Sequence, residues 1–230
     1  MCIRDSSGRV LATPFRGDDT VLAIGFSPDG KVLAFGGVDG KLRLFETGKW
    51  TALLEVGAHS DWLTALSWRR DGKQIATASR DKTAKVHDVT TGKRVSTFSG
   101  HPEAVRAITF HPNGGELLST GDHGHLFLWR SEDGKKVADR ARFEGAVLRL
   151  VEADHGFFAT TPGGVVVQFN PKDQKRLQEF KVAPQKGAEA PTIASCASWA
   201  SLLAVGALDG RVAIFDAETG EQRAIFMAKP

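Results

Sequence analysis

The sequence predicts an all-β fold built from a repeated four-stranded unit, and three observations support this prediction. Apolar and β-branched runs of four to eight residues alternate with Asp-Gly and Asn-Gly turns, as in β-hairpins. No stretch keeps a sustained 3.6-residue apolar period, so we expect almost no helix. The chain also repeats itself with a step of 42 residues, and one glycine column shows this directly: Gly30, Gly72, Gly114 and Gly156.

Two further columns keep the same register, one at the start of the first strand and one at the end of the third: Val21, Leu63, Val105 and Val147, and Phe45, His87 and Trp129. Phe169 and Phe215 continue the second column at steps of 40 and 46. A four-stranded antiparallel unit that repeats every ~40–45 residues is typical of a β-propeller blade. One such sheet cannot bury both of its apolar faces alone, so neighbouring blades must cover them.

Each unit reads as four short strands separated by turns. In the second unit we expect strands at 63–68, 74–79, 84–88 and 94–99, and we interpret Asp39-Gly40 and Asp209-Gly210 as two-residue hairpin turns. The chain then holds five complete blades in one propeller domain: 21–56, 63–99, 105–143, 147–182 and 193–228.

The N-terminal segment is expected to lie outside these five blades. Residues 7–15 match the fourth-strand pattern of residues 91–98, so segment 7–16 reads as the last strand of a missing upstream blade. Residues 1–6 fit no column, and we interpret them as non-native sequence. The expectation is therefore a fragment of a longer propeller, which would need missing blades or a second copy to close.

Composition narrows the class of protein. The chain has 230 residues, 41% of them hydrophobic and 25% charged, which excludes a wholly disordered or collagen-like chain. The net charge of +3 is spread out, which argues against nucleic acid as a partner. No secretory signal is visible, and the uncharged stretch 190–208 contains Pro191 and several serines, so we interpret it as two strands rather than a membrane helix. The compartment is left open, with the cytoplasm favoured.

The columns resemble the WD-repeat β-propeller family over nearly the whole chain. That family has Gly-His near the start of a repeat, Asp at the second hairpin turn and Trp-Asp after the third strand; here Gly100-His101, Asp81 and Trp129 stand in these columns. The resemblance implies a buried network joining His, a Ser or Thr, the turn Asp and the Trp indole. The residues that the resemblance assigns to it are His101, Ser119, Asp122 and Trp129 in the third unit, His59, Thr77 and Asp81 in the second, and the turn residues Asp39 and Asp209. In the second unit His87 replaces Trp. The fourth unit has Gly163 at the turn and no Gly-His, so we expect the weakest blade there.

The resemblance also implies that the narrow top face of the ring binds a protein or peptide. The contact positions that the family pattern assigns are Leu22, Val38, Trp62, Thr64, Arg80, Arg106, Asp122 and Leu208. Trp62 and the two arginines stand out because Trp and Arg dominate interface hot spots.

No catalytic motif is present: the sequence lacks a GxSxG elbow, a phosphate-binding GxxxxGK[ST] loop and an HExxH helix. The run Asp122-His123-Gly124-His125 is the best metal candidate, but its place on a hairpin turn favours a structural role. We predict no catalytic residue, no metal and no cofactor. The leading hypothesis is a non-catalytic scaffold that binds a protein or peptide. The alternative is the regulatory or sensor propeller of a larger bacterial multidomain enzyme or cytochrome-type protein.

Overall fold

The chain forms five four-stranded antiparallel sheets, and no helix occurs in the part of the chain that the structure describes. The computed structural model describes residues 3–4, 9–12, 19–153, 156–161, 163–170, 172–173, 175–184 and 190–227. The strands, in chain order, are β1 (Ile3–Arg4), β2 (Val10–Ala12), β3 (Val21–Phe26), β4 (Val32–Gly37), β5 (Lys41–Glu46), β6 (Ala52–Gly57), β7 (Leu63–Trp68), β8 (Gln74–Ser79), β9 (Ala84–Asp88), β10 (Arg94–Phe98), β11 (Val105–Phe110), β12 (Glu116–Gly121), β13 (His125–Arg130), β14 (Lys136–Arg142), β15 (Arg149–Ala153), β16 (Gly156–Thr160), β17 (Val165–Phe169), β18 (Arg176–Lys181), β19 (Ile193–Trp199), β20 (Leu202–Ala207), β21 (Arg211–Asp216) and β22 (Gln222–Met227).

Each sheet follows chain order, so every neighbouring pair of strands is a hairpin. We call the sheets blade 1 (β3–β6), blade 2 (β7–β10), blade 3 (β11–β14), blade 4 (β15–β18) and blade 5 (β19–β22). The first strands of all five blades line one central cavity of about 310 Å³, to which Ile24, Leu66, Ile108, Leu150 and Ser195 contribute. The predicted β-propeller fold is thus confirmed, and the stretch 190–208 forms two strands and a turn.

The hydrophobic core lies between the blades. One cluster joins Val86 and Phe98 of blade 2 to Phe127 and Trp129 of blade 3. The rings of Phe98 and Trp129 are stacked nearly parallel, with their centroids 5.5 Å apart. Because a blade inside the array is covered on both faces, its second strand is buried at nearly every position rather than at alternate ones, as β8 and β12 show.

Blade 5 keeps the alternating pattern instead. Leu203 and Val205 are buried against blade 4, while Ala204 and Ile214 on the other face are only half-buried. At the other end of the array, Phe26 is 54% exposed, whereas its counterpart in blade 3, Phe110, is buried. The place of Phe26 at the end of the array explains this difference. Its counterpart Trp68 packs on the first strand of the preceding blade and donates to Gly25 O, whereas no four-stranded sheet of the described residues precedes blade 1.

The N-terminal segment forms a separate pair of strands. Val10–Ala12 pairs antiparallel with Ile3–Arg4 in a two-stranded sheet and belongs to none of the five blades. The remainder of segment 7–16, apart from Arg9, and most of residues 1–6 lie outside the described residues. The described residues contain no helix long and apolar enough to cross a membrane.

The second hairpins of blades 1 and 5 differ from the predicted two-residue turns. Three residues, 38–40, connect β4 to β5, and Gly40 N donates to Gly37 O. Gly40 has φ +69°, while Asp39 is not among the residues with positive φ. A type I turn closed by a left-handed residue therefore replaces the expected two-residue turn. In blade 2 the left-handed position is held by Lys82, with φ +68°.

Candidate functional site: buried networks and the top face

The second hairpin turns and the loops that enter the inner strands lie at one edge of the blades, which we call the top face. Hydrogen bonds join the two kinds of segment directly. Val38 N donates to Thr20 O in blade 1, Arg80 N to Trp62 O in blade 2, and Leu208 N to Thr192 O in blade 5. The turn residues and the residues before the inner strand therefore share one surface in each blade.

Blade 2 buries a histidine on an aspartate below this surface. His59 Nδ1 lies 2.9 Å from Asp81 Oδ2, and its Nε2 lies 2.8 Å from Thr77 Oγ1. Burial lowers the pKa of His59, so the ring is neutral. Burial opposes the charge on Asp81, but hydrogen bonds from His59 and Thr83 outweigh it and hold the pKa of that carboxyl well below its usual range. Because Asp81 only accepts, His59 carries its proton on Nδ1, and Thr77 donates to Nε2.

Blade 3 holds its histidine by different atoms. His101 Nδ1 lies 2.6 Å from His123 Nε2, and His101 Nε2 lies 2.7 Å from Ser119 Oγ, which also accepts from Trp129 Nε1 at 2.9 Å. His123 Nδ1 accepts from the His125 backbone N–H, so the proton of the neutral His123 ring is on Nε2 and is donated to His101. His101 must then carry its own proton on Nε2. Burial, and to a smaller extent the nearby rings of His123 and His125, lower the pKa of His101 to about 3, so the His101 ring is neutral.

This geometry corrects one predicted site residue. Asp122 does not bond to His101; its carboxylate accepts two hydrogen bonds from Arg106, at 2.8 and 3.0 Å. The turn position that holds Asp81 in blade 2 holds His123 in blade 3, and the side chain one residue earlier points away from the network. The prediction chose Asp122 because it is the carboxylate next to the turn position, but the residue that contacts His101 is His123.

In blades 1 and 5 the partner of the turn aspartate is an arginine instead of a histidine. Arg43 donates to Asp39 at 2.5 Å and to Glu55 at 2.8 Å, and its side chain is buried. Arg211 donates to Asp209 and, across the blade boundary, to Ala183 O at 2.6 Å. Both turn aspartates are thus satisfied by a cation from the third strand, which the sequence analysis did not identify. Arg43 follows Asp39 by four residues and Arg211 follows Asp209 by two, so no single repeat column marks these arginines.

Blade 4 has replaced the whole network by apolar groups. The strand register aligns Ala159 with Ser119 and Phe169 with Trp129. Phe143 occupies the histidine position, because its N–H donates to Gly124 O as that of His59 donates to Gly40 O. The ring of Phe143 packs edge-on against Phe169 at 5.7 Å. The network positions Phe143, Ala159 and Phe169 therefore hold no polar side chain that needs a partner, although the expectation that this blade is the weakest stays a prediction.

His87 replaces the network tryptophan of blade 2. Its ring is buried, and neither ring nitrogen forms a hydrogen bond with the part of the chain that the structure describes. Burial lowers the pKa of His87 to about 4. Thr77 consequently receives no donor equivalent to the indole N–H of Trp129.

The predicted contact positions on the inner strands coincide with β-bulges. The strand register shifts at Leu22, Thr64 and Arg106, so each lies opposite no partner residue. A bulge re-aims a side chain, which explains why this column does not follow the alternation of its strand. Thr64 is nevertheless 6% exposed, and its hydroxyl donates to Val105 O of blade 3. The assignment of Thr64 to the partner-binding surface is therefore wrong: it ties two blades together.

The remaining predicted contacts differ in exposure. Leu208 is 72% exposed, while Leu22, Val38 and Arg106 are half-buried. Trp62 is 39% exposed, and the Arg80 guanidinium lies over its ring at 4.8 Å from the centroid.

Asp61, which the sequence analysis did not select, lies 3.5 Å from Arg80. The same carboxylate accepts from Trp62 N. The top of blade 2 thus presents a fixed Trp–Arg–Asp cluster, with the Arg106–Asp122 pair on the adjoining blade.

The described residues hold no cluster of three or more His, Cys, Asp or Glu side chains that could bind a metal ion. His123 and His125 lie with ring centroids 5.3 Å apart, but His123 is engaged on both nitrogens. Cys196 is buried, and burial raises the pKa of its thiol to about 12, so it is not a reactive nucleophile.

Comparison with known proteins gives matches over most of the chain. The sequence model of the family described as WD domain, G-beta repeat matches residues 8–46, 50–88 and 92–130. The second and third matches each run from the outer strand of one blade to the third strand of the next, and the first begins in the segment that contains β2. The sequence repeat is thus offset by one strand from the blade, so each repeat joins two blades.

Several known proteins are similar to this chain in sequence or in structure. The target of rapamycin complex subunit wat1 of Schizosaccharomyces pombe is 34% identical over 125 residues, which cover 54% of this chain and 39% of that protein. WD repeat-containing protein 1 of Xenopus tropicalis is 27% identical over 164 residues, covering 50% and 27%. The solved structure of U3-55K superposes with a TM-score of 0.82 at 18% identity, over 92% of this chain and 66% of that one. The chain therefore spans well under half the length of these two sequence relatives.

Proposed function

Because the chain belongs to the WD domain, G-beta repeat family, we propose that it is a non-catalytic scaffold that binds a protein or peptide partner through its top face. The observation that supports this most is the exposed Trp62 ring, held by Arg80 and flanked by the bulge residue Arg106. The name of the relative wat1, a complex subunit, fits a role in protein assembly.

The cluster has the physical properties of a binding hot spot. An exposed indole offers a large apolar area, and its contact with Arg80 limits the conformational freedom that binding would otherwise remove. Arg80 keeps free donor capacity, because its only carboxylate neighbour in the described chain lies 3.5 Å away. A partner segment that covers Trp62 and supplies an acceptor to Arg80 would gain from both groups.

A non-catalytic role fits the state of the histidines. The best general-base candidates, His59 and His101, are buried and bonded on both ring nitrogens. Burial lowers the pKa of each ring, and neither is open to a substrate. Their bonds hold the turns that carry the top face, so they act on binding through the rigidity of the blade.

The experiment that tests the proposal is peptide selection from a displayed library followed by affinity measurement on variants. We expect Trp62→Ala to weaken the selected peptides by more than tenfold, and Arg106→Ala to weaken them by a smaller factor. Phe226→Ala is the matched control, since it removes an aromatic ring that is exposed on blade 5. Affinities of Trp62→Ala and Arg106→Ala within about 1 kcal/mol of the parent would contradict the proposal.

A further inference from the structure

A recess opens in blade 4 where the other blades hold their polar turn residue. Gly163 stands at the position of Asp81 and His123, and a Cβ added to it would meet no atom within 4 Å. The recess continues into a groove of about 470 Å³ between blades 3 and 4, and Phe143, Val165 and Val167 form its apolar floor. In blade 3 the equivalent groove carries His125 and Phe127 instead of these two valines.

The rim of this groove carries more unpaired arginines than unpaired carboxylates. Three of its carboxylates, Asp139, Asp173 and Glu179, are each within ion-pair distance of a lysine or arginine of the same strand or turn: Lys136, Lys175, and Arg176 with Lys181. The fourth, Glu144, lines the groove and forms no ion pair with the described residues. Arg140 and Arg142 are exposed and form no ion pair with the residues that the structure describes. Arg142 also lines the adjoining cavities on both sides of β14, so it is open to solvent along the whole groove.

We propose that this groove is a second docking site, separate from Trp62, for an acidic peptide segment with one bulky apolar side chain. The apolar side chain fills the recess beside Gly163 and packs on Phe143. The flanking carboxylates pair with Arg142 and Arg140, which form no ion pair with the described residues. Two features select this occupant: the space left by the missing turn residue, and the two arginines that face only one unpaired carboxylate, Glu144.

The test measures the binding of the labelled peptide EEFEE, capped at both ends, by fluorescence anisotropy. The peptides EEAEE and KKFKK, labelled and capped in the same way, serve for comparison. We expect EEFEE to bind at least tenfold more tightly than either of the others. Gly163→Leu, which fills the recess without a clash at Cβ, and Arg142→Glu should each weaken EEFEE by tenfold or more.

Two controls separate this site from the rest of the surface. Lys49→Glu makes the same change of charge on an exposed turn of blade 1, and Trp62→Ala removes the top-face ring; both should leave the affinity for EEFEE within twofold. Thermal unfolding of each variant checks that the fold is retained. The proposal is overturned if EEFEE shows no preference over EEAEE, or if Gly163→Leu and Arg142→Glu bind it as the parent does. Loss of binding in Trp62→Ala alone would place the probe on the top face instead.

Discussion

Blades 2 and 3 carry a histidine at the same place in the fold, but the two rings are bonded to different chemical groups. In blade 2 the donor chain runs from Thr77 to His59 and from His59 to a carboxylate, Asp81. In blade 3 it runs from a neutral ring, His123, to His101 and from His101 to Ser119. The two buried histidines therefore carry their protons on opposite nitrogens.

The difference shows that this position can hold either a carboxylate or a neutral ring, provided that donors and acceptors match along the chain of hydrogen bonds. With His123 in the place of Asp81 the donor chain is reversed, and both ring nitrogens of His101 have a partner. Ser119 then accepts from both His101 and the indole of Trp129. Blade 2 lacks that indole, and the substitute, His87, is buried without a partner. The blade with the charged network is thus also the blade with an unsatisfied ring.

The largest expected difference between the two blades is the loss of stability when the partner of the buried histidine is removed. We expect Asp81→Ala to lower the free energy of unfolding by about 2–4 kcal/mol, because it strips a charged acceptor from a buried ring and from Thr83. His123→Ala should cost about 1–2 kcal/mol, since only a neutral bond is lost. Chemical denaturation measures both, with Asp71→Ala, an exposed ion pair with Arg69, as a control expected to change stability by under about 1 kcal/mol. Equal losses for Asp81→Ala and His123→Ala would contradict the assignment of charge.

The second largest effect should be a loss of stability at acidic pH, caused by the buried rings of His101 and His87. The pKa values of His101 and His87 are lowered to about 3 and about 4, below the value of about 6.5 in an unfolded chain. The unfolded chain therefore binds protons first as the pH falls. The stability that these rings contribute is complete above about pH 6.5 and is lost progressively towards the two lowered values.

Each such ring adds a slope of up to about 1.4 kcal/mol per pH unit below pH 6.5. Urea denaturation between pH 7.5 and 4.5 measures this slope. A flat profile over that range would show that the rings are not buried as neutral groups.

Replacing His87 by phenylalanine should stabilise the protein. We expect His87→Phe to raise the free energy of unfolding by about 1 kcal/mol at pH 7, because it removes two buried nitrogens that have no hydrogen bond. The variant should also show a shallower loss of stability below pH 6.5. His59→Phe provides the opposite case, since it removes a fully bonded ring and should destabilise the protein.

The backbone of the blade 2 turn offers a smaller effect. Lys82 has φ +68°, where blades 1 and 3 have Gly40 and Gly124 in the same conformation. We expect Lys82→Gly to raise stability by about 0.5–1 kcal/mol, because a left-handed backbone is strained for a residue with a Cβ. The thermal midpoint measures this change, and a decrease would show that the Lys82 side chain contributes more than its strain costs.

The last prediction concerns which ring nitrogen carries the proton in each blade, and its readout is a spectrum rather than a stability. Nitrogen-15 NMR of the histidine rings should show the proton of His59 on Nδ1 and that of His101 on Nε2. The same tautomer at both rings would overturn the reversed donor chain. His123→Asp should move the His101 proton to Nδ1, because a carboxylate can only accept.

Much of the fold could be read from periodicity. The step of 42 residues located the four strands of the second unit, and the structure has them at Leu63–Trp68, Gln74–Ser79, Ala84–Asp88 and Arg94–Phe98. The resemblance to the WD-repeat family also implied a network of His59, Thr77 and Asp81, which the structure brings together. Local patterns sufficed here because hairpins connect every strand to its neighbour.

Other features needed the tertiary structure because they depend on contacts between distant residues. The pairing of Asp122 with Arg106, the burial of Thr64 against Val105 O and the exposure of Phe26 are set by the neighbouring strand or blade. The arginines that satisfy Asp39 and Asp209 reach them through side-chain geometry that spacing does not specify.

The sequence by itself determined the repeat, the strand order and the position of each turn, because backbone hydrogen bonds and apolar alternation act over a few residues. Only the tertiary structure decided the direction of each buried donor chain and the recess beside Gly163. Hydrogen bonding inside a protein is a balance over all groups that meet at one point, and those groups come from different strands and different blades.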